Sequence, residues 1–344
     1  MRRGLLIAGL VLGLTCGAAG AWLVAVSNTP AFEGRRGVKI PRGASLEQVA
    51  DSLQAAGVLR HRAPFVWLAR LTGWQRQIKA GYYTFSAGTS TYRMLSILRR
   101  GLQSPVHVLI PPGSRPEVVA AIVCRALACS PDSLLSVLQD SALAAELGTD
   151  TRHLFGRLLP DTYYFYWLTA PRDIVRRAHA AFLDFFTPER RARADSLGLT
   201  IDEVVTLASI IEWEAGPSER RRVAGVYLNR LRRGMPLQAD PTVQYVVLQQ
   251  EGQKRRLLFA DYRIDHPYNT YRYPGLPPGP ITNPSRNALE AVLNAEQHDY
   301  LYFVADGHGG HIFSRTFQEH IEAANRYRRL MERRRNATDD ADAP

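Results

Sequence analysis

Two glutamates, Glu212 and Glu214, stand at the end of an apolar helical segment, directly before Ala215-Gly216-Pro217. Thr200 and Glu203 spell a capping box, so a helix is predicted from Ile201 to about Ala215, where Gly216 and Pro217 stop it. At roughly 100° per residue, Ile201, Val204, Val205, Leu207, Ala208 and Ile211 form one broad arc. Glu212 falls on one flank of that arc, Glu214 on the other, and Trp213 points away. Periodicity does not choose between the two acids. Each is placed for partial burial, which raises a carboxyl pKa, and the negative end of the helix dipole also disfavours the ionised form. Those are the conditions for a carboxylic acid that stays protonated and serves as a general acid. The plainer alternative is a pair of surface carboxylates matched to Arg220, Arg221 or Arg222.

A helical hairpin must position these groups. Ser218 is a candidate N-cap for a second helix, from about Glu219 to Arg233, closed by Gly234. Upstream, a helical region from about Pro131 to Leu197 is interrupted by Leu158-Leu-Pro-Asp-Thr-Tyr-Tyr164. Downstream come a strand (Tyr300–Ala305), a Gly-rich turn, a strand (His311–Phe313) and a basic helix to about Arg335. Nearer the N-terminus two segments echo each other at an offset of 70 residues. Val38, Ile40, Pro41, Gly43, Glu47, Val49 and Ala50 match Val108, Ile110, Pro111, Gly113, Glu117, Val119 and Ala120. Each reads as strand, Pro/Gly turn and amphipathic helix, with Ser45 and Ser114 as candidate N-caps. A helix (Ala63–Thr72) and a strand (Ala80–Phe85) separate them. A repeated strand–turn–helix resembles the LysM-like modules that bind cell-wall glycan. The alternative is a duplicated scaffold.

At 344 residues the chain has room for about two domains. Its net charge of +11 comes almost wholly from arginine, since Lys39, Lys79 and Lys254 are the only lysines. Such a charge suits nucleic acid, an anionic membrane surface or an anionic polymer. The run Leu5–Val26 holds 22 residues without a charge, and Arg2 and Arg3 precede it. About 20 helical residues cross a hydrocarbon core, whereas a signal-peptide apolar region has roughly 7–15. An uncleaved transmembrane helix over 5–26 is expected, with residues 1–4 in the cytoplasm and everything beyond Ser27 outside the cytoplasmic membrane. A linker over 27–37 follows. An exported chain does not meet the chromosome, which removes nucleic acid as a partner. Cys124 and Cys129 can bridge only if their helix ends near Ala128, before Ser130-Pro131. No His/Cys/Asp spacing suggests a metal, and no cofactor is expected.

The stretch LASIIEWEAGPSERRRVAGVYLNRLRRGMPLQADPTVQY resembles the signature of the endolytic murein transglycosylase family, the YceG-like proteins. HPYNTYRYPGLPPGPITNPS, YLYFVADGHGGHIFSRTFQEH and LLPDTYYF are similar to its other motifs, so the resemblance spans nearly the whole chain. It implies an α+β protein: an N-terminal transmembrane helix, a LysM-like subdomain over 38–128, a mixed catalytic domain over 129–335 and a disordered tail over 336–344. The implied reaction is non-hydrolytic cleavage of peptidoglycan strands between N-acetylmuramic acid and N-acetylglucosamine, leaving 1,6-anhydro ends and terminating nascent strands. One carboxylate serves as acid and then base, where ordinary glycosidases need a pair. By resemblance that residue is Glu214, with Glu212 in support. Gln238, Asp240, Thr242, Asn269 and Tyr271 supply the amides, hydroxyls and aromatic face of a sugar site. His311 and His320 read as structural. The implied partners are peptidoglycan strands, the cytoplasmic membrane and peptidoglycan synthases. Two departures from the family pattern are Ala215, where Thr is common, and Ser285, where Gly is usual. The alternatives are a hydrolytic muramidase using Glu212 or Asp240 as second carboxylate, and a glycan-binding scaffold without turnover. A pyridoxal-phosphate lyase is rejected, since none of the three lysines stands where a Schiff base would need it.

Overall fold

The structure, a computed structural model, describes residues 28–341. The charge-free run Leu5–Val26 lies outside them, and among the described residues no helix is long and apolar enough to cross a membrane. Helices joined by short strands give an α+β architecture in two compact units. The first comprises the described residues to Val108, with Cys124–Cys129 and Tyr164–Ala170. The second comprises Leu109–Val123, Ser130–Tyr163 and the chain from Pro171.

In the first unit β1 (Arg35–Ile40) pairs antiparallel with β2 (Gly81–Ser86), Val38 lying opposite Tyr83. The period-two alternation turns Val38, Ile40, Tyr83 and Phe85 inward. Helices α1 (Leu46–Ala55), α2 (Arg62–Leu71) and α3 (Thr91–Arg100) close the core over them, with Phe65, Met94, Leu95 and Leu98 fully buried. Each such side chain contributes about 1.5–3 kcal/mol relative to exposure. Ser45 caps α1 in a complete capping box with Gln48, which stabilises the helix by about 1 kcal/mol. Within the expected linker Asn28 and Thr29 are already buried, and β1 begins at Arg35.

Strand β3 (Val106–Ile110) and helix α4 (Pro116–Ala126) repeat the strand–turn–helix order. Ser114 does not cap α4. The helix starts two residues later with Pro116, a residue favoured at the first helical position; the Ser114 hydroxyl donates to the Pro112 carbonyl and its N–H to Asn283 Oδ1. Because α4 stops at Ala126, Cys124 and Cys129 come together as a disulfide with Cα atoms 5.0 Å apart.

The chain continues through α5 (Pro131–Leu138), α6 (Ser141–Glu146), α7 (Thr151–Leu154), β4 (Asp161–Phe165), α8 (Pro171–Phe185) and α9 (Pro188–Leu197). Then come α10 (Ile201–Glu214), α11 (Arg220–Arg232), α12 (Asp240–Glu251), α13 (Arg286–Leu293), the hairpin β5 (Tyr302–Ala305) and β6 (His311–Ser314), and α14 (Phe317–Ala341). The centre of the second unit is α10, opened by the Thr200–Glu203 capping box. Every residue from Val204 to Ile211 is buried, so the helix is enclosed on all sides rather than on one arc. Helices α11, α12 and α13 pack around it. Gly225 in α11 lets the 296–298 segment approach, since a Cβ there would meet the Glu296 carbonyl and the His298 ring. Ser218 is not the cap of α11. Glu219 holds the cap position without a side-chain cap bond, because its carboxylate instead accepts the His311 N–H and faces the His311 ring. Helix α14 runs past the expected end near Arg335.

Candidate active site

Glu214 is the last residue of α10, and Ala215 leaves the helix in extended conformation. From α11 the buried Tyr227 donates its hydroxyl proton to Glu214 Oε2 at 3.1 Å. Among the described residues no hydrogen bond engages Oε1. Burial pushes the Glu214 carboxyl up to about 7, and the negative charge of Asp240 pushes the same way against the Tyr227 hydrogen bond and the Arg230 charge. Near neutral pH both protonation states are therefore populated, so this group can give a proton and take one back. Burial and the neighbouring Glu214 hold Tyr227 well above the usual phenol range, which keeps it a donor.

Two cavities meet at this carboxyl. One, of about 830 Å³, is lined by Trp213, Gln244, Lys254, Phe259 and Tyr262. The other, of about 450 Å³, is lined by Arg230, Gln238, Tyr271, Phe303, His311 and His320. Glu214 and Asp240 border both, an arrangement suited to a chain-like ligand passing over the acid. Asp240 opens α12 and accepts from the Tyr271 hydroxyl at 2.6 Å and the Tyr262 hydroxyl at 3.3 Å. Gln238 holds a left-handed φ of 51°, a strained value for a side chain of this size. Its N–H donates to the Thr270 carbonyl and its Oε1 accepts from Arg230.

Three of the expected residues do not present free groups to the groove. Thr242 is fully buried, donating to the Ala239 carbonyl at 2.7 Å and meeting Thr270 Oγ1 at 2.9 Å. Asn269 is fully buried too; it donates to the Tyr262 and Ile264 carbonyls and accepts from the Tyr271 N–H. These two hold the loops that carry Tyr262 and Tyr271. Glu212 borders the larger cavity, but both its oxygens are engaged. Oε1 accepts from Arg220 at 2.8 Å, and Oε2 accepts from the Ser285 N–H at 2.9 Å and the Ser285 hydroxyl at 2.6 Å. The side chains of Arg220 and Glu212 are 9% and 8% exposed, and Arg220 also donates to the Ala215 carbonyl, Ser285 Oγ and Asn287. A buried ion pair satisfied this fully fixes geometry; here it fixes the end of α10, two residues from Glu214.

A model of the YceG-like family matches residues 38–326. The chain belongs to the YceG-like family. It is 29% identical over 306 residues to an endolytic murein transglycosylase of Bacillus subtilis, covering 84% of each chain. A relative of the same description from Streptococcus pneumoniae is 31% identical over 311 residues, 82% of this chain and 56% of the relative. The crystal structure of a YceG-like protein from Listeria monocytogenes is similar at a TM-score of 0.59 and 27% identity, over 85% of this chain and 99% of that one.

Several groove residues escaped the sequence reading. Tyr227 and Arg230 lie within the family-like run Val-Tyr-Leu-Asn-Arg, three apart and so on one face of α11, a signal that could have found them. Arg230 also donates to the Leu301 and Leu237 carbonyls, tying α11 to the segment before β5. Trp213 does not simply point away: its Nε1–H donates to the Gly113 carbonyl at 2.9 Å, and Lys254 Nζ lies 3.6 Å from its ring centroid. Gln244 carries a buried Nε2 with no hydrogen-bond partner among the described residues. The motif Ile281-Thr-Asn-Pro-Ser285 is a latch. Asn283 receives the Gly113 and Ser114 N–H groups and donates to the Pro111 carbonyl. Among the described residues no group of His, Cys, Asp and Glu could hold a metal.

Proposed function

We propose that the chain cuts peptidoglycan strands endolytically between N-acetylmuramic acid and N-acetylglucosamine as a lytic transglycosylase, with Glu214 as acid and base. The observation that carries the assignment is Glu214 itself, its carboxyl raised to about 7 by burial where two groove halves meet. Protonated Glu214 gives its proton to the glycosidic oxygen as the bond from the muramyl C1 breaks. The resulting carboxylate takes the proton of the same sugar's 6-hydroxyl while O6 closes on C1. Water enters nowhere, and the carboxyl ends as it began. Tyr227 and Asp240 tune the proton affinity. Tyr262, Tyr271 and the unsatisfied Gln244 amide face the sugars, since a buried donor left unpaired costs about 1–3 kcal/mol until a substrate oxygen fills it. Thr242, Asn269 and Glu212 support from behind.

The finer parts belong to the same proposal: one uncleaved helix over 5–26, residues beyond it outside the cytoplasmic membrane, a LysM-like glycan-binding part over 38–128 and a catalytic part over 129–335. The charge-free run and the repeated strand–turn–helix order support them. Peptidoglycan synthases are the proposed partners, because a cut that ends a nascent strand must act where strands are made.

A hydrolytic reading draws on Asp240, the second carboxylate beside Glu214; Glu212 is spent on Arg220 and Ser285. Mass spectrometry of purified glycan strands digested with the full-length protein separates the two. Anhydro ends are expected, and reducing N-acetylmuramic ends would establish hydrolysis instead.

A further inference from the structure

Most of the chain's charge sits in a small part of it. Between Asn28 and Val108 twelve lysines and arginines face three acids, so this stretch carries +9 of the total +11. Two of those acids are spent locally, Glu47 on Arg70 and Asp51 on Arg62. A cleft of about 690 Å³ opens in the same unit, lined by Arg35, Arg93, Arg100, Ser90, Ser96 and Tyr92, with no acid on its wall. The three arginines are exposed and enter no ion pair among the described residues. Arg99 lies over the Trp74 ring beside the same helix. The cleft is built from the start of β1 and from α3, outside both repeated segments, so it is separate from the glycan-binding reading of the repeats.

Where the chain enters this unit decides what the cleft can meet. Asn28 is pinned against the edge of the cleft. Its N–H donates to the Thr89 carbonyl at 2.9 Å and its side-chain amide to Thr91 Oγ1 at 2.9 Å, on either side of the cleft residue Ser90. His61 N–H and Arg60 N–H close on its other face. Only Ser27 separates Asn28 from the apolar run that ends at Val26. Two residues of extended chain reach about 7 Å, so a helix emerging from a bilayer would deliver the cleft to the headgroup layer.

We propose that this cleft docks the unit onto the membrane by binding the phosphates of anionic phospholipids. The proposal rests on the transmembrane reading of residues 5–26. Each basic residue near an anionic surface contributes roughly fivefold to binding, so three give about a hundredfold preference for the docked state.

The test uses the full-length protein in nanodiscs of phosphatidylcholine, with and without 30% phosphatidylglycerol. Hydrogen–deuterium exchange is read over residues 86–102. Anionic discs should slow exchange there, and Arg35→Gln/Arg93→Gln/Arg100→Gln should abolish the slowing without altering exchange in the rest of the unit. Insertion with equal exchange in both discs would overturn docking and leave the anchor standing. Failure to insert would remove the anchor, and docking with it. Equal slowing by inorganic phosphate on neutral discs would make the cleft a free-phosphate site and overturn the membrane assignment.

Discussion

Replacing Glu214 with Gln should abolish catalysis and stabilise the fold, with a stability gain that depends on pH in one direction only. The carboxyl has a pKa near 4.5 when unfolded and about 7 in place, so the native state holds the proton more tightly. Below pH 4.5 both states are protonated and the residue costs nothing. As pH rises from 4.5 to 7 the unfolded chain ionises first and native stability falls; above 7 the cost is constant. That difference in proton affinity corresponds to about 3 kcal/mol, reduced toward about 2 because solvent in the groove reaches the partly buried side chain. Gln is neutral throughout and keeps an oxygen for Tyr227. The variant should match the parent near pH 4 and exceed it by about 2–3 kcal/mol at pH 8, roughly 5–10 °C in melting temperature. Turnover should fall about 10³–10⁴-fold, because one group serves both proton steps. The assay is urea denaturation of both proteins from pH 4 to 9, beside anhydro-product formation. A stability difference that stays flat across that range would refute the desolvated carboxyl, whatever the activity did.

Asp240→Asn removes a negative charge that raises Glu214, so the alkaline limb of the pH–rate profile should move to lower pH. Tyr227→Phe removes a hydrogen bond that favours the ionised form and should move the same limb upward; two shifts of equal sign would contradict the account. Ser285→Ala strips the N-cap of α13 and one bond to Glu212, and should cost about 2 kcal/mol in denaturation while leaving the pH optimum in place. Replacing Cys124 and Cys129 by Ser should cost about 2 kcal/mol by loop entropy alone, read by thermal melting, and the thiol titre of the parent should rise by two groups on reduction.

Local codes were read correctly where the partners are local. The cap at Ser45 and the capping box at Thr200 need only a residue three positions on, and the strand–turn–helix order of both repeats is set by alternation and turn residues within twenty positions. Ser114 and Ser218 do not cap, because α4 and α11 start later, at Pro116 and Arg220, where neighbouring groups are engaged at long range. Asn283 claims the Ser114 N–H from 169 residues away, and the His311 ring claims Glu219 from 92.

The same distinction separates the two glutamates. Helical periodicity placed Glu212 and Glu214 on equivalent flanks, and the helix dipole acts on both. What divides them is tertiary. Glu212 meets Arg220 at the start of the next helix and Ser285 from 73 residues away, so its charge is matched and its oxygens are occupied. Glu214 meets a phenol and the negative charge of Asp240 where burial strips much of its hydration, so its proton is held and one oxygen stays open. Thr242 and Asn269 teach the converse. Their polar character suited a sugar site, yet their hydrogen bonds are consumed in holding the loops that present Tyr262 and Tyr271. Residue type announced that a polar site existed here. Which polar atoms remain free to act is a property of the packed loops, because each long-range hydrogen bond that secures one residue withdraws it from the chemistry and leaves a neighbour exposed to it.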